Sequence, residues 1–413
     1  MSARALDRLT VSSRYKVALD ARRLAGNRRG IGLYVHNLAR CLPSAAPDTD
    51  FLLMVDRPLP PDRVPAGCRA VVVGRRPSAD SQSVSESSAK LYSIYWMNVL
   101  VPGVLKRERV DLFLGTNIAV PLVGGCRCVT TIADLVSVRV PGTFTRFYDS
   151  YRKLSVPAAA RRSAHIIAIS ESTKRDIVEL IRVLPEKITT IHLGVDASFA
   201  PVADSAQLRR TRERFGLPDR FIIHVGAVER QKRLESLMQA AAGVLEAGLV
   251  DAVVLAGEEG RGADNVRRVV AELGMSERVK FLGYVPQEFM ASLFTLARCA
   301  VYPSWYEGFG MPVLEAMACG TPVIASNASS LPEVGGDAAV LLPPGDIGAM
   351  TQALEQLLTD ERQRADRVSR GLARAKRFTW EVCAARHVEI FRRFIGQVRE
   401  ERVVRSEEKA GGS

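Results

Sequence analysis

With 413 residues, 47% hydrophobic and 25% charged, the chain is long enough for two cores and too balanced in composition to be disordered. No apolar run reaches the roughly 18 residues of a spanning helix, and no charged-then-apolar leader opens the chain, so a cytoplasmic protein is expected. The net charge of +12 calls for an anionic partner, but no zinc-finger, helix-turn-helix or RNA-binding aromatic signature supports nucleic acid.

In chain order, residues 16–20 read as an opening strand, and Gly30 and Gly32 lead into an amphipathic helix over about 33–42. Strands follow at 51–55 and 70–73, then a serine-rich stretch at 77–89 with loop character. Residues 90–109 alternate apolar and polar positions at helical spacing, with an expected break at Pro102-Gly103. This segment is either a core helix or, with Lys106 and Arg107 after its aromatics, a membrane-contacting one. Short strands at 110–114, 128–132, 165–169 and 188–191 complete a first series, with Ser170 placed to cap the helix that follows. Cys126 and Cys128 flank a strand entry on one face, but the seven cysteines lack paired metal spacing and read as reduced core residues. Periodicity lapses over 196–207, the expected linker. A second series then starts, with strands at 221–225, 252–256, 279–282 and 300–303 and helices between them. Alternating strand and helix means parallel sheets. The expected division is 1–197 and 198–379 as two Rossmann-like domains, 380–401 as a helix returning to the first domain, and 402–413 as a disordered tail.

The most informative stretch is 302–326, which sets Glu307 and Glu315 around a glycine turn. Gly308 and Gly310 free the backbone, Pro312 suits a first helical position, and Gly320 suits the position after the last turn. Glu307 then sits on a loop at the carboxyl edge of the sheet, where open α/β sheets bind ligands, and Glu315 lies about one turn into the helix. A second loop at the same edge, GAVERQKRL (226–234), carries Arg230, Lys232 and Arg233, a cluster of fixed positive charge suited to an anionic group.

The segment EGFGMPVLEAMACGTPVIAS (307–326), continued by SSLPEVGGDAAVLLPPGD (329–346), resembles the donor-site signature of the retaining, nucleotide-sugar-dependent glycosyltransferases of family 4. The resemblance runs from about residue 17 to 394. It implies the GT-B fold, α/β with two Rossmann-like domains facing each other across a cleft. By this resemblance Glu307 contacts the hydroxyls of the donor sugar, Glu315 those of the ribose, and Lys232, with Arg230, neutralises the diphosphate. Backbone amides of Gly308, Phe309, Gly310 and Met311 face sugar or phosphate, Tyr284 and Val285 border the nucleobase, and Gly32 closes over the diphosphate from the opposite domain. Arg28 and Arg29 would stand near an acceptor.

Two positions depart from the family pattern. Gln231 stands where many relatives have Arg, leaving Arg230 or Arg233 to substitute. Ala133 stands where relatives often have His, and Asp134 beside it either orients the acceptor hydroxyl and takes its proton or caps a turn. The expected function is hexose transfer, with mannose from GDP-mannose as first choice, to a glycan or lipid-linked saccharide during surface-polysaccharide synthesis. No metal or other cofactor is expected, and a peripheral position on the cytoplasmic face of the inner membrane would suit the charge. Ala133 and Gln231 also motivate an alternative, a non-catalytic GT-B scaffold that binds nucleotide sugar.

Overall fold

A computed structural model describes residues 14–26, 30–74, 86–124, 126–140 and 146–411. Arg28, Arg29 and the serine-rich stretch up to residue 85 lie outside the described residues. Among them, thirteen strands form two parallel sheets. The first contains β1 (Tyr15–Asp20), β2 (Thr49–Val55), β3 (Cys68–Val72), β4 (Leu112–Gly115), β5 (Arg127–Ile132), β6 (His165–Ala168) and β7 (Ile188–Thr190), in the order β3-β2-β1-β4-β5-β6-β7. The second contains β8 (Phe221–Val225), β9 (Ala252–Ala256), β10 (Val279–Gly283), β11 (Cys299–Tyr302), β12 (Val323–Ser326) and β13 (Val340–Leu342), in the order β10-β9-β8-β11-β12-β13. Central strands such as β4, β8 and β9 are buried along their whole length, because helices cover both faces.

Each order reverses at one place, between β1 and β4 in the first sheet and between β8 and β11 in the second. At such a reversal the loops leave on opposite faces and open a crevice at the carboxyl ends of the strands. The loop after β8 carries Lys232 and the loop after β11 carries Glu307, so two segments about 75 residues apart meet at one crevice.

The chain passes from one sheet to the other through residues 191–204 and returns at Thr379, where Val195 bridges Thr379 and donates its N–H to the Phe378 carbonyl at 3.0 Å. Gly194 makes this crossing feasible, since a β-carbon there would stand 2.2 Å from the Trp380 nitrogen. The last helix, Trp380–Gly411, packs on the helix Ile31–Ala45. Tyr34 stands at their junction, with its hydroxyl 2.9 Å from both Thr131 Oγ1 and His387 Nε2 and its ring 6.3 Å from Trp380.

Three expectations are corrected. The polar stretch from Arg402, expected as a disordered tail, continues the last helix through Gly411; residues 397–410 contain neither Gly nor Pro and are mostly good helix formers. Gly32 does not precede its helix but lies buried in the first turn, while Gly30, at φ 48°, occupies the turn before it. The break expected at Pro102 falls one turn earlier, as a π-helical turn at Trp96–Leu100 between the helices Glu86–Tyr95 and Val101–Arg107. Pro102 has no N–H for the carbonyl four residues back, and a wider turn relieves that mismatch.

Trp380 is almost completely buried where the last helix meets the first. Trp380→Ala should therefore lower unfolding stability by about 3–5 kcal/mol, read as a lower urea midpoint. A midpoint equal to that of the unmodified chain would show that the returning helix contributes little to the first sheet's stability.

Candidate active site in the interdomain cleft

Strand-end loops of both sheets build the site. In the second sheet, the Lys232 ammonium pairs with the Glu307 carboxylate, and Ser304 Oγ donates to Glu307 Oε1 at 2.8 Å. The Glu307 carbonyl accepts from Ser329 Oγ at 2.6 Å and Ser330 Oγ at 2.8 Å, and its N–H donates to Ser329 Oγ at 3.2 Å. The two loops are laced together where Trp305 N–H donates to the Gln231 carbonyl at 2.9 Å and the Arg233 guanidinium lies 4.1 Å above the Trp305 ring. Arg233 is thereby committed to Trp305, whereas Arg230 is exposed on the outer turn of its loop. Under these loops His224 is buried, with Nδ1 2.9 Å from the Val301 carbonyl, and burial with the nearby Lys232 charge lowers its pKa to about 4. It is a neutral support at physiological pH.

The loop after β11 leans on the first sheet. Gly308 is the point of closest approach, since a β-carbon there would stand 2.5 Å from the Ala133 carbonyl oxygen and 3.1 Å from Asp134 Cβ. Thr173 Oγ1 reaches both carbonyls, those of Ala133 and Gly308, at 3.3 Å. Tyr306 donates its hydroxyl to Asp176 Oδ2 at 2.8 Å and accepts from Leu135 N–H at 3.0 Å. The Glu333 carboxylate accepts from the backbone N–H groups of Glu171 and Ser172, at 2.7 and 2.6 Å, and lies 3.2 Å from His192 Nε2. Burial opposes its charge, but the His192 hydrogen bond and these two amides outweigh it and hold the pKa below the ordinary glutamate value. The His192 ring also packs 5.8 Å from Phe309, which is buried against Phe378.

These contacts bring Asp134 to the Glu307 loop. Its carboxylate accepts from Val136 N–H at 3.1 Å, the turn-capping bond anticipated from sequence. Burial raises its pKa, Glu307 adds to the rise, and Arg152 and the Val136 amide oppose it. Ala133 meets the cleft through its carbonyl, which is occupied by the Gly308 and Thr173 contacts.

Beside the Lys232–Glu307 pair lies a cleft cavity of about 820 Å³. Its first-sheet wall includes Gly30, Tyr34 and Arg40, and its second-sheet wall Gly226, Tyr284, Val285, Met311 and Glu315. Gly226 joins cavity and ion pair, since a β-carbon there would be 3.9 Å from Lys232 Nζ. Glu315 is buried in the helix Met311–Ala318, and burial with the Asp196 charge raises its pKa to about 8. Gly310, at φ 101°, turns the chain into that helix, and its carbonyl accepts from Val313 N–H at 3.0 Å. Gly32 does not line the cavity; Gly30 does.

A second cavity, of about 480 Å³, occupies the reversal point of the first sheet. Asp20, Arg22, Arg57, Lys90, Tyr92 and Arg152 are among its lining. Arg22 holds Asp20 through two bonds of 2.9 and 2.7 Å, donates to Ser93 Oγ at 2.7 Å and lies 4.2 Å over the Trp96 ring. Arg152 links this cavity to the cleft through a 3.5 Å bond to the Asp134 carbonyl. Sequence reasoning did not single out these residues, nor Glu333 or Tyr306. The usable signal was Asp20 closing β1 at a strand order reversal, which requires the topology to be known.

Two parallel sheets whose reversal points face each other across a cleft, with the charged loops on the second, make this a glycosyltransferase of the GT-B class. Residues 28–199 match the profile described as Glycosyltransferase Family 4, and residues 207–374 that described as Glycosyl transferases group 1. The O-antigen chain mannosyltransferase B of Escherichia coli is 32% identical over 269 residues, 64% of this chain and 70% of that protein. The serotype-specific mannosyltransferase WbdA of Escherichia coli is 30% identical over 277 residues, 65% of this chain but only 33% of its own length. The sucrose-phosphate synthase structure from Thermosynechococcus elongatus superposes with a TM-score of 0.76 at 21% identity, over 93% of this chain and 100% of that one. The chain belongs to glycosyltransferase family 4.

The raised pKa of Glu315 carries a pH signature. Between the ordinary glutamate value of about 4.3 and about 8, the folded state keeps a proton that the unfolded state releases. This contribution to stability is complete below that window and is lost as pH rises through it. Glu315→Gln should flatten this fall, giving a smaller stability difference between pH 5 and pH 8 in urea titrations. Identical pH slopes for both proteins would overturn the assignment.

Proposed function

We propose that the protein is a retaining hexosyltransferase, with mannose from GDP-mannose as first choice, acting on a glycan or lipid-linked saccharide in surface-polysaccharide synthesis. The observation that carries this reading is the Lys232–Glu307 pair at the reversal point of the second sheet, held against Asp134 of the first. The mannosyl choice draws on the O-antigen mannosyltransferases of Escherichia coli among the relatives.

In this reading the nucleoside lies in the 820 Å³ cavity, with Tyr284 and Val285 at the base and Glu315 accepting from the ribose hydroxyls. The sugar lies under Glu307 and the amides of Gly308, Phe309, Gly310 and Met311. Lys232, reinforced by Arg230, offsets the charge that grows on the diphosphate as the bond from the anomeric carbon to phosphate oxygen breaks. Gly30, rather than Gly32, faces the diphosphate from the first domain. The acceptor enters from the 480 Å³ cavity past Arg152. Its hydroxyl, oriented by Asp134, attacks on the face the phosphate leaves and gives its proton to the departing phosphate oxygen. Such a reaction asks the protein chiefly for positioning and fixed charge, so Ala133 in place of His is compatible with turnover. Fixed cations and helix-start amides supply the neutralising charge in this reading, and no divalent ion is required.

Lys232→Ala and Glu307→Ala should each lower kcat by about 10²- to 10³-fold in protein whose circular dichroism matches that of the unmodified chain, measured as nucleoside diphosphate release in the presence of acceptor. Undiminished turnover in either variant would sink the site assignment. Nucleotide-sugar binding without turnover across a broad acceptor panel would favour the scaffold alternative. In a donor screen, GDP release from GDP-mannose should exceed UDP release from UDP-hexoses and persist in EDTA; preference for a UDP-sugar would overturn the mannosyl choice, and loss of rate in EDTA the metal-free mechanism.

A further inference from the structure

The helix Ile31–Ala45 holds one polar side chain that folding leaves unserved. Asn37 stands about two turns in, where asparagine is a poor helix former, and only 2% of it is exposed. Its carboxamide Nδ2 is buried with no hydrogen-bond partner among the described residues. Tyr34, one turn earlier on the same helix and also buried, shows the contrast, since its hydroxyl has both Thr131 and His387 within reach. Nearly every buried donor in a folded protein is paired, because an unpaired one gives up its bonds to water without return. Local costs of this kind, in propensity and in an unpaired group together, are the mark of a functional position.

The side chain stands at the cleft. Leu33, Asn37 and Arg40, at spacings of four and three residues, make one face of the helix, and all three line the 820 Å³ cavity. Met311, Pro312 and Glu315 of the helix Met311–Ala318 belong to the wall from the second sheet. Arg40 is tied to Asp196 at 3.2 Å, and the Asp196 charge is one of the two causes of the raised Glu315 pKa. The face that bears Asn37 therefore meets the cavity at its Glu315 end. The two side chains ask for opposite partners, Asn37 Nδ2 for an acceptor and the Glu315 carboxylate for a donor, and a hydroxyl group is both at once.

We infer that Asn37 is a donor-binding residue of the first domain, giving its amide N–H to a ribose hydroxyl of the nucleoside diphosphate while that hydroxyl donates to Glu315. Rotation about the Asn37 Cβ–Cγ bond, which is soft for asparagine, exchanges the two edges of the amide between wall and cavity. The nucleoside is then gripped from both halves of the molecule, and drawing the halves apart breaks the grip. This inference rests on the nucleotide-sugar reading of the cavity and adds to it a contact that does not depend on the base.

Titration calorimetry of the full chain with GDP and UDP, and with the 2′,3′-dideoxy form of each, tests the contact. For whichever ribonucleotide the unmodified chain binds more tightly, Asn37→Ala should weaken binding about fivefold and leave the affinity of the matching dideoxynucleotide unchanged. Asn37→Leu, close in volume and a better helix former, should weaken ribonucleotide binding in the same way, and its thermal midpoint without nucleotide should equal or exceed that of the unmodified chain; it keeps the test decisive if the alanine variant fails to fold. Unaltered ribonucleotide affinity, an equal loss with the dideoxynucleotide, or a lowered midpoint in both variants would each overturn the proposal, the last by showing that Asn37 serves the fold. Failure of the unmodified chain to bind either ribonucleotide would remove the nucleotide-sugar reading together with this contact, whereas binding indifferent to Asn37 would remove the contact alone.

Discussion

Glu333 belongs to the second sheet's half of the molecule, yet its carboxylate is spent on two backbone N–H groups of the first, those of Glu171 and Ser172, and on His192. Hydrogen bonds to a charged group contribute about 1.5–3 kcal/mol each. This carboxylate also meets the positive end of the helix Glu171–Asp176. Tyr306 between Asp176 and Leu135, and Thr173 between Ala133 and Gly308, extend the same seam. The loop that presents Glu307 is thus supported from the opposite half of the molecule as well as its own. The geometry at Lys232 depends on that seam, because a loop free to swing would carry Glu307 away from Asp134.

The seam also sets the electrostatics of the cleft. Asp134 and Glu315 are both pushed toward their neutral forms by burial, whereas Glu333 is kept charged by direct donors. The contrast follows from depth and partners together: Asp134 and Glu315 are more deeply buried than Glu333, which also accepts from two N–H groups and lies beside His192. Lys232 and Glu307, meanwhile, satisfy each other, so neither charge is left alone in the partly enclosed cleft.

Much of the fold was legible because parallel strands buried on both faces leave short, continuous apolar runs, and glycine or proline marks their ends. The turn and helix at 308–318 could be read directly, since Gly310 at positive φ and Pro312 in the first turn are demands of backbone sterics. Gly32 was placed outside its helix because Gly30 and Gly32 are alike in sequence, and only the observed helix start, two residues earlier than expected, shows which one is outside it. The tail was misread because polarity was taken as disorder where helix propensity prevails. The cavity of Asp20, Arg57, Lys90 and Arg152 was illegible, since its members come from two strand ends and two helices whose adjacency depends on strand order.

What the amino-acid sequence determined alone is local: the strand and helix alternation, the glycine turn between Glu307 and Glu315, the basic loop at Lys232, and the family signature they compose. Tertiary structure decided the rest. It chose Gly30 over Gly32 for the cleft, committed Arg233 to Trp305, raised the pKa of Glu315, gave Ala133 a packing contact in place of a side-chain role, and turned Leu91 and Val99 outward on a helix whose other face lines a cavity. The physical reason is the same in each case. Backbone conformation answers to neighbours a few residues away, whereas the charge state, exposure and partners of a side chain answer to whatever distant segment is packed against it.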